Sequence, residues 1–210
     1  MKNKILYYAF FMFCMILSAF TLKSYDHNAA TGLGIGGKAK DFSLKNVDGK
    51  KISMSQYPEA KGFIVVFTCN HCPFSKLYEQ RIIDLDNTYK PKGFPVIAIS
   101  SNDPAIEPDD SFEKMVELAN AKKYPFPYLY DSTQEVAKNF GAAKTPHVYV
   151  LAKKNKDLIV SYIGAIDDNP KKDKAETHAY VADAVQALLE NKKVALTETK
   201  AVGCSIKWKE

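Results

Sequence analysis

The fold is decided by residues 63–73, which read FIVVFTCNHCP. The first five residues form an uninterrupted apolar run of aromatic and β-branched side chains, which is typical of a central strand buried on both faces. The stretch ends at Cys69 and Cys72, and Pro73 suits the first turn of a following helix. Two thiols three residues apart at the start of a helix can close into a disulfide and reopen. The stretch therefore predicts a redox centre.

Strand and helix patterns alternate on both sides of this stretch. Upstream, short strands are expected at 41–44 and 52–54, around a turn at 47–50. Downstream, the pattern predicts a helix from Pro73 to Gly93, a strand over 95–100, a helix from Asp109, a strand over 128–130, a helix from the capping-box pair Ser132 and Glu135 to Phe140, a hairpin of 147–151 with 158–163, and a closing helix over 176–190. This order predicts an α/β fold with a central, mostly parallel sheet, an antiparallel edge hairpin and helices on both faces.

Composition narrows the classes of function. The chain has 210 residues, enough for one well-packed domain with extensions, and a formal net charge of +5. The positive charge is carried almost wholly by lysine, with Arg81 the only arginine, and acidic residues are interleaved. Because nucleic-acid recognition favours clustered arginine, we expect no nucleic-acid partner. No glycine-rich loop suited to phosphate stands between a strand and a helix, so we expect no cofactor.

The first twenty residues predict export. A short basic segment, 1–4, precedes a nearly continuous apolar run over 5–20, which is short for a membrane span of about 20 residues but fits a signal peptide. We expect a signal peptide or uncleaved N-terminal anchor at 1–22, a linker at 23–37, the main domain at 38–192 and a C-terminal tail at 193–210. The protein is then periplasmic or attached to the cell envelope, and it meets a membrane only through an uncleaved N-terminal segment.

Three further segments strengthen the redox interpretation: GKAKDFSL at 37–44, Thr145-Pro146, and GCSIKW at 203–208. With Cys69 and Cys72, they make the chain resemble the peroxiredoxin-like branch of the thioredoxin-like superfamily, known as AhpC/TSA or redoxin. The resemblance covers roughly residues 38–192 and implies a thioredoxin-like fold, a redox-active disulfide and antioxidant chemistry. It also implies that Pro146 follows a cis peptide bond and that the Thr145 backbone can pair with an incoming peptide.

The two cysteines receive separate roles. We expect Cys69 to be the attacking nucleophile, because the backbone N–H groups and dipole of a helix N-terminus lower a thiol pKa. Cys72, one turn later, would then resolve the mixed disulfide with a protein disulfide or dithiol partner. A protonated His71 would stabilise the thiolate, and Thr68 stands in a supporting position beside Cys69.

Peroxide is the alternative substrate. In this hypothesis Cys72 takes the peroxide oxygen, and Cys69 or Cys204 resolves it. Peroxiredoxins carry a Pro-x-x-x-Thr-x-x-Cys pattern and a downstream arginine, but here the proline position holds Val65 and the threonine position holds Cys69. Arg81 lies nine residues after Cys72 on the same predicted helix. We therefore expect peroxide reduction to be slow or absent.

Metal binding is a third hypothesis: a protein without turnover, with Cys69, Cys72, His147 and Cys204 as ligands, although we assign no metal.

Cys204 is open to two interpretations. It is either a third redox thiol or a tail cysteine packed beside Trp208. The sequence favours the second, since nothing near Cys204 indicates a lowered pKa.

Overall fold

The computed structural model describes residues 32–171 and 178–210, which contain ten strands, four α-helices and three 3-10 helices of three residues each (Met54–Gln56, Lys90–Lys92 and Pro108–Asp110). The strands are β1 (Lys38–Ala39), β2 (Leu44–Asn46), β3 (Lys51–Ile52), β4 (Gly62–Phe67), β5 (Val96–Ser100), β6 (Tyr128–Tyr130), β7 (Lys144–Thr145), β8 (His147–Lys154), β9 (Asp157–Gly164) and β10 (Cys204–Ser205). The helices are α1 (Pro73–Tyr89), α2 (Phe112–Lys122), α3 (Glu135–Phe140) and α4 (Tyr180–Leu189).

Eight strands form one sheet in the order β1-β9-β8-β4-β5-β6-β2-β3. Strand β4 pairs in parallel with β5 and β5 with β6, but the other five neighbouring pairs are antiparallel. The prediction of a mostly parallel sheet is therefore wrong. The β8–β9 hairpin does not lie at an edge: β8 pairs with all six residues of β4. An apolar run reports that a strand is buried on both faces, but not the direction of its neighbours.

The two faces of β4 enter two separate parts of the core. Ile64 and Val66 pack with the inner faces of α1, α2 and α4. Their neighbours Phe63, Val65 and Phe67 point to the opposite face and pack with α3 and the segments around it. The prediction of helices on both faces is confirmed. This packing fixes the carboxyl end of β4, where the two cysteines begin.

The start of α3 differs from the predicted capping box. Gln134 precedes the helix in a left-handed conformation, with φ of 62°, and no side-chain cap from Ser132 is formed. Instead the buried Asp131 carboxylate accepts hydrogen bonds from the backbone N–H groups of residues 136 and 137, at 3.4 and 2.9 Å. The Gln134 turn brings Asp131 over the helix end, so that an acid outside the predicted box satisfies the free donors.

Both ends of the described region contact the main domain. Leu33 donates its backbone N–H to Phe140, and Gly36 donates to Val160. In the tail, Ile206 is buried in the core on the α3 face. No helix within 32–171 and 178–210 has the length and apolar character needed to cross a membrane. The predicted signal peptide or anchor lies outside the described residues, and so does most of the predicted linker.

Candidate active site

The two cysteines of the Cys-x-x-Cys motif lie between the carboxyl end of β4 and the start of α1, and they face β7. Both are buried. The Cys69 Sγ lies 3.4 Å from the Thr145 hydroxyl, and the Cys72 Sγ lies 3.2 Å from the Thr145 carbonyl oxygen. The Thr145–Pro146 peptide bond is cis, as the resemblance implies. The structure therefore brings together residues that are more than seventy positions apart in sequence.

The start of α1 serves Cys72 more directly than Cys69. Cys72 is the residue that caps the helix, immediately before Pro73. Its pKa is lowered, first by a hydrogen bond from the Cys69 thiol and then by bonds from Cys204 and the Ser75 N–H, although burial acts in the opposite direction. The nearby Thr145 carbonyl also opposes ionisation, since it can accept only from a protonated thiol. The position of Cys72 at the start of α1 favours it as the thiolate.

Cys69 has the opposite electrostatic setting. Its pKa is raised, first because its thiol donates to Cys72, then by burial and by the negative charge of Asp110. This contrasts with the sequence-based expectation that Cys69 is the more acidic thiol. The helix end was located correctly from the sequence, but the expectation placed the wrong sulfur at its cap.

Asp110 holds the loop between the cysteines, and sequence analysis missed this role. Its fully buried carboxylate accepts from the backbone N–H groups of Asn70 and His71, at 2.7 and 3.0 Å, and from the Asn102 side chain at 2.6 Å. The sequence showed Asp110 only as an acidic residue at a predicted helix start. Nothing local distinguishes such an acid from one that reaches a loop forty residues away.

His71 is positioned beside Cys69 by two acids. Its Nδ1 lies 2.5 Å from the Asp110 carboxylate and 3.7 Å from the Cys69 Sγ, and its Nε2 lies 3.6 Å from Glu107. The ring is therefore held mainly by Asp110.

Of the two threonines predicted to support the site, Thr145 supplies the hydroxyl in contact with Cys69. Thr68 continues the sheet by donating its backbone N–H to Ile99.

Cys204 reaches the same site from the C-terminal tail. Strand β10 pairs antiparallel with β7, with Cys204 directly opposite Thr145. The Cys204 Sγ lies 2.6 Å from the Cys72 Sγ, across 132 positions of sequence. The favoured interpretation, a cysteine packed in the tail beside Trp208, therefore does not describe its surroundings. Cys72 therefore has a sulfur neighbour on the tail in addition to the other cysteine of its motif.

Arg81 is engaged away from the sulfurs. Its guanidinium forms an ion pair with the buried Asp167 and donates to the Asn169 carbonyl at 2.8 Å. Tyr78 donates to the same Asp167 at 2.9 Å. Arg81 thus anchors α1 to the loop after β9 through its ion pair with Asp167.

Metal-ligating side chains meet in a group other than the one suggested by the sequence. Among residues 32–171 and 178–210, the group with suitable spacing is Cys69, His71 and Asp110, whose candidate ligand atoms lie within 4.8 Å of one another. His147 stands apart from it: its Nδ1 accepts from the Ala143 N–H at 3.4 Å. The four-ligand set of the third hypothesis is not assembled, and Asp110 already accepts several hydrogen bonds in the group of Cys69, His71 and Asp110.

The burial of His147 predicts how the stability of the protein changes with pH. Burial lowers its pKa from the ordinary 6.5 to about 4. Between these values the unfolded chain binds a proton that the folded protein does not, so the free energy of unfolding should fall as pH drops from 6.5 to 4, by about 3 kcal/mol in all. Urea unfolding across this range should show a shallower slope for His147→Gln than for the parent protein. Replacing the exposed His178 with glutamine is the control and should leave the slope unchanged. Equal slopes for the two variants would contradict the assignment of this pH dependence to His147.

The sequence matches a known protein family over most of the main domain. Residues 35–166 match the AhpC/TSA family, and this stretch is more than half of the chain. The chain belongs to the AhpC/TSA family. The resemblance inferred from the sequence is thereby confirmed, together with the thioredoxin-like fold.

Individual relatives of this AhpC/TSA protein fall in two classes. It is 31% identical to the chloroplastic peroxiredoxin Q of Triticum aestivum over 76% of this chain and 75% of that protein. It is 26% identical to the thiol-disulfide oxidoreductase ResA of Bacillus cereus over 74% of this chain and 86% of that protein. A crystal structure of an uncharacterized conserved protein from Geobacillus kaustophilus superposes with a TM-score of 0.78 and 41% identity, covering 84% of this chain and 93% of the other. The family and these relatives make the protein an oxidoreductase.

Proposed function

We propose that this AhpC/TSA protein is an exported thiol-disulfide oxidoreductase whose Cys69–Cys72 pair opens and closes during exchange with a protein partner. The observation that carries the proposal is the meeting of both sulfurs with Thr145, next to the cis Pro146. The Cys-x-x-Cys spacing and the similarity to ResA support it. Export is supported by the basic and apolar pattern of residues 1–20.

The reaction begins at the Cys72 sulfur, which lies beside the Thr145 carbonyl oxygen and the Cys204 sulfur. Its thiolate attacks a partner disulfide, and the partner sulfur that leaves carries the electron pair of the broken bond. The Cys69 thiol then loses its proton and attacks Cys72, which releases the second partner sulfur. Burial of both cysteines means that the partner must present its sulfur closely along the Thr145 edge.

Cysteine substitutions test this proposal against simple packing. With insulin as the disulfide substrate and dithiothreitol as the reductant, catalysed reduction should be lost in Cys72→Ser. Cys69→Ser/Cys204→Ser, which lacks both thiols that could attack Cys72, should instead accumulate a mixed disulfide, detected as a higher-mass adduct without reductant. Full insulin reduction by both variants would overturn the proposal. Replacement of the exposed Ser132 with alanine is the control and should keep the parent rate.

Peroxide reduction is the second candidate, because peroxiredoxin Q is a relative and Cys72 has a lowered pKa. Against it, Val65 and Cys69 occupy the pattern positions of proline and threonine, and Arg81 is paired with Asp167. Hydrogen peroxide consumption with a thiol reductant separates the candidates. Rapid turnover that survives Cys69→Ser would favour the peroxidase and reject the exchange mechanism.

A further inference from the structure

The C-terminal tail lies on the edge of the site that an incoming peptide would use. Strand β7 contains Thr145, whose backbone is the expected pairing edge beside Pro146. In the structure that edge is taken by β10: Cys204 pairs with Thr145, and Ser205 pairs with Lys144. The protein thus binds its own chain as an added strand, with a cysteine at the position that faces Cys72.

Gly203 shows that this approach is unusually close. A Cβ atom at this position would lie 2.0 Å from the Thr145 carbonyl oxygen and 3.1 Å from the Pro146 nitrogen. Both are backbone atoms, so no side-chain rotation could relieve the contact. A residue without a side chain is required here for the tail to approach Cys72 at this distance.

Two buried amides then hold the tail beyond Cys204. Gln134 donates to the Lys207 carbonyl at 2.7 Å and accepts from the Lys209 N–H at 2.8 Å. Asn102 accepts from the Lys207 N–H at 2.9 Å and donates to Asp110 at 2.6 Å. Because Asp110 also holds the loop between Cys69 and Cys72, one chain of hydrogen bonds joins the tail to that loop. These contacts make a recognition site for an extended peptide.

We propose that the segment 203–209 is an internal substrate strand, which holds the partner-binding edge of the site and presents Cys204 as the third redox thiol, forming a disulfide with Cys72. This inference rests on the proposed function, because it assigns Cys204 a place in the same exchange reaction. A protein partner displaces the strand to reach Cys72, and the returning strand displaces the partner.

The exchange balances without any further reactant. Cys72 attacks the partner disulfide, one partner sulfur leaves and takes up a proton, and the other stays bound to Cys72. The Cys204 thiol releases its proton, its sulfur attacks Cys72, and the second partner sulfur leaves and is protonated. The partner gains the two electrons and two protons that Cys72 and Cys204 lose. Later attack by Cys69 on Cys72 moves the disulfide to Cys69–Cys72 and returns Cys204 to a thiol, with no net oxidation.

Peptide mapping of the full chain carrying Cys69→Ser tests the predicted bond. After oxidation by oxidised glutathione and digestion with trypsin, residues 62–76 should appear joined to residues 201–207, lighter by two hydrogens than the separate peptides. The joined species should be absent from Cys69→Ser/Cys204→Ser. If oxidised Cys69→Ser instead carries glutathione on Cys72 while Cys204 stays free, the inference is overturned.

Gly203→Ala tests whether the strand itself drives the bond. In glutathione buffers of varied ratio, the effective concentration of Cys204 at Cys72 in Cys69→Ser should exceed the millimolar range of a flexible tether, and it should fall at least tenfold with Gly203→Ala. Gly34→Ala is the matched control, because a Cβ there has nothing within 4 Å. An unchanged value in Gly203→Ala, with the fold intact by circular dichroism, would contradict the role of the strand.

The outcomes separate this inference from the proposed function. If the joined peptide is absent but the parent protein still reduces insulin through Cys69 and Cys72, only the internal strand is rejected. If the joined peptide forms but no variant exchanges disulfides with insulin, the internal bond stands and the partner reaction fails.

Discussion

Replacing Cys72 with serine should lower the rate of disulfide exchange by roughly a thousandfold or more, the largest effect expected of the three cysteines. Cys72 is the cysteine that the other two share: it forms the Cys-x-x-Cys motif with Cys69, and its Sγ lies 2.6 Å from the Sγ of Cys204. Either neighbour can be lost while the other still receives the bond from Cys72. A serine hydroxyl is a far weaker nucleophile than a thiolate and cannot join a disulfide.

The measurement is stopped-flow reaction of each reduced variant with a small aromatic disulfide, followed by insulin reduction. Cys204→Ser is the matched control, since it removes a sulfur from the same site, and it should retain at least about a tenth of the parent rate. The sequence-based assignment of Cys69 as the nucleophile predicts the reverse, that Cys69→Ser loses the reaction. If Cys69→Ser abolishes the first reaction and Cys72→Ser preserves it, the assignment of the thiolate to Cys72 is wrong.

Asp110→Ala should lower the free energy of unfolding by about 3 kcal/mol. The carboxylate is fully buried and accepts from Asn70, His71 and Asn102, so alanine would leave several buried donors without a partner. Urea unfolding at neutral pH measures the loss. The same substitution should slow exchange, because the loop between Cys69 and Cys72 loses its support.

Asp109→Ala is the control for this prediction. Asp109 is exposed and precedes Asp110 in the same short helical turn, and its contact with Asn70 is made by its backbone carbonyl, which alanine retains. Its stability should stay within about 0.5 kcal/mol of the parent. Equal losses for both variants would show that charge at the turn, and not the buried hydrogen bonds, is responsible.

Local patterns correctly predicted the strand and the helix on either side of the two cysteines. The apolar run before Cys69 and the proline after Cys72 located the end of β4 and the start of α1, because both features depend on neighbouring residues alone. The direction was predicted wrongly for one of the two strands beside β4, since β5 is parallel but β8 is antiparallel. It depends on where the β8–β9 hairpin inserts, which the periodicity of a single strand does not encode.

Long-range contacts account for what the sequence did not reveal. Asp110 lies forty positions from Asn70, and Cys204 lies 132 from Cys72. Neither residue type stands out locally, since acids commonly begin helices and a single tail cysteine is often only packed. Their roles depend on the register of β10 against β7 and on the path of the turn before α2, and tertiary structure sets both.

Asn102 links the protection of a backbone amide in the tail to that of two amides in the loop between the cysteines. It accepts from the Lys207 N–H and donates to Asp110, which in turn accepts from the N–H groups of Asn70 and His71. Amide hydrogens more than a hundred positions apart are therefore linked through the Asn102–Asp110 hydrogen bond. Detachment of the C-terminus should speed deuterium uptake at the backbone amides of residues 70 and 71 as well as at 207. Uptake at 70 and 71 would then report whether Cys204 is bonded to Cys72.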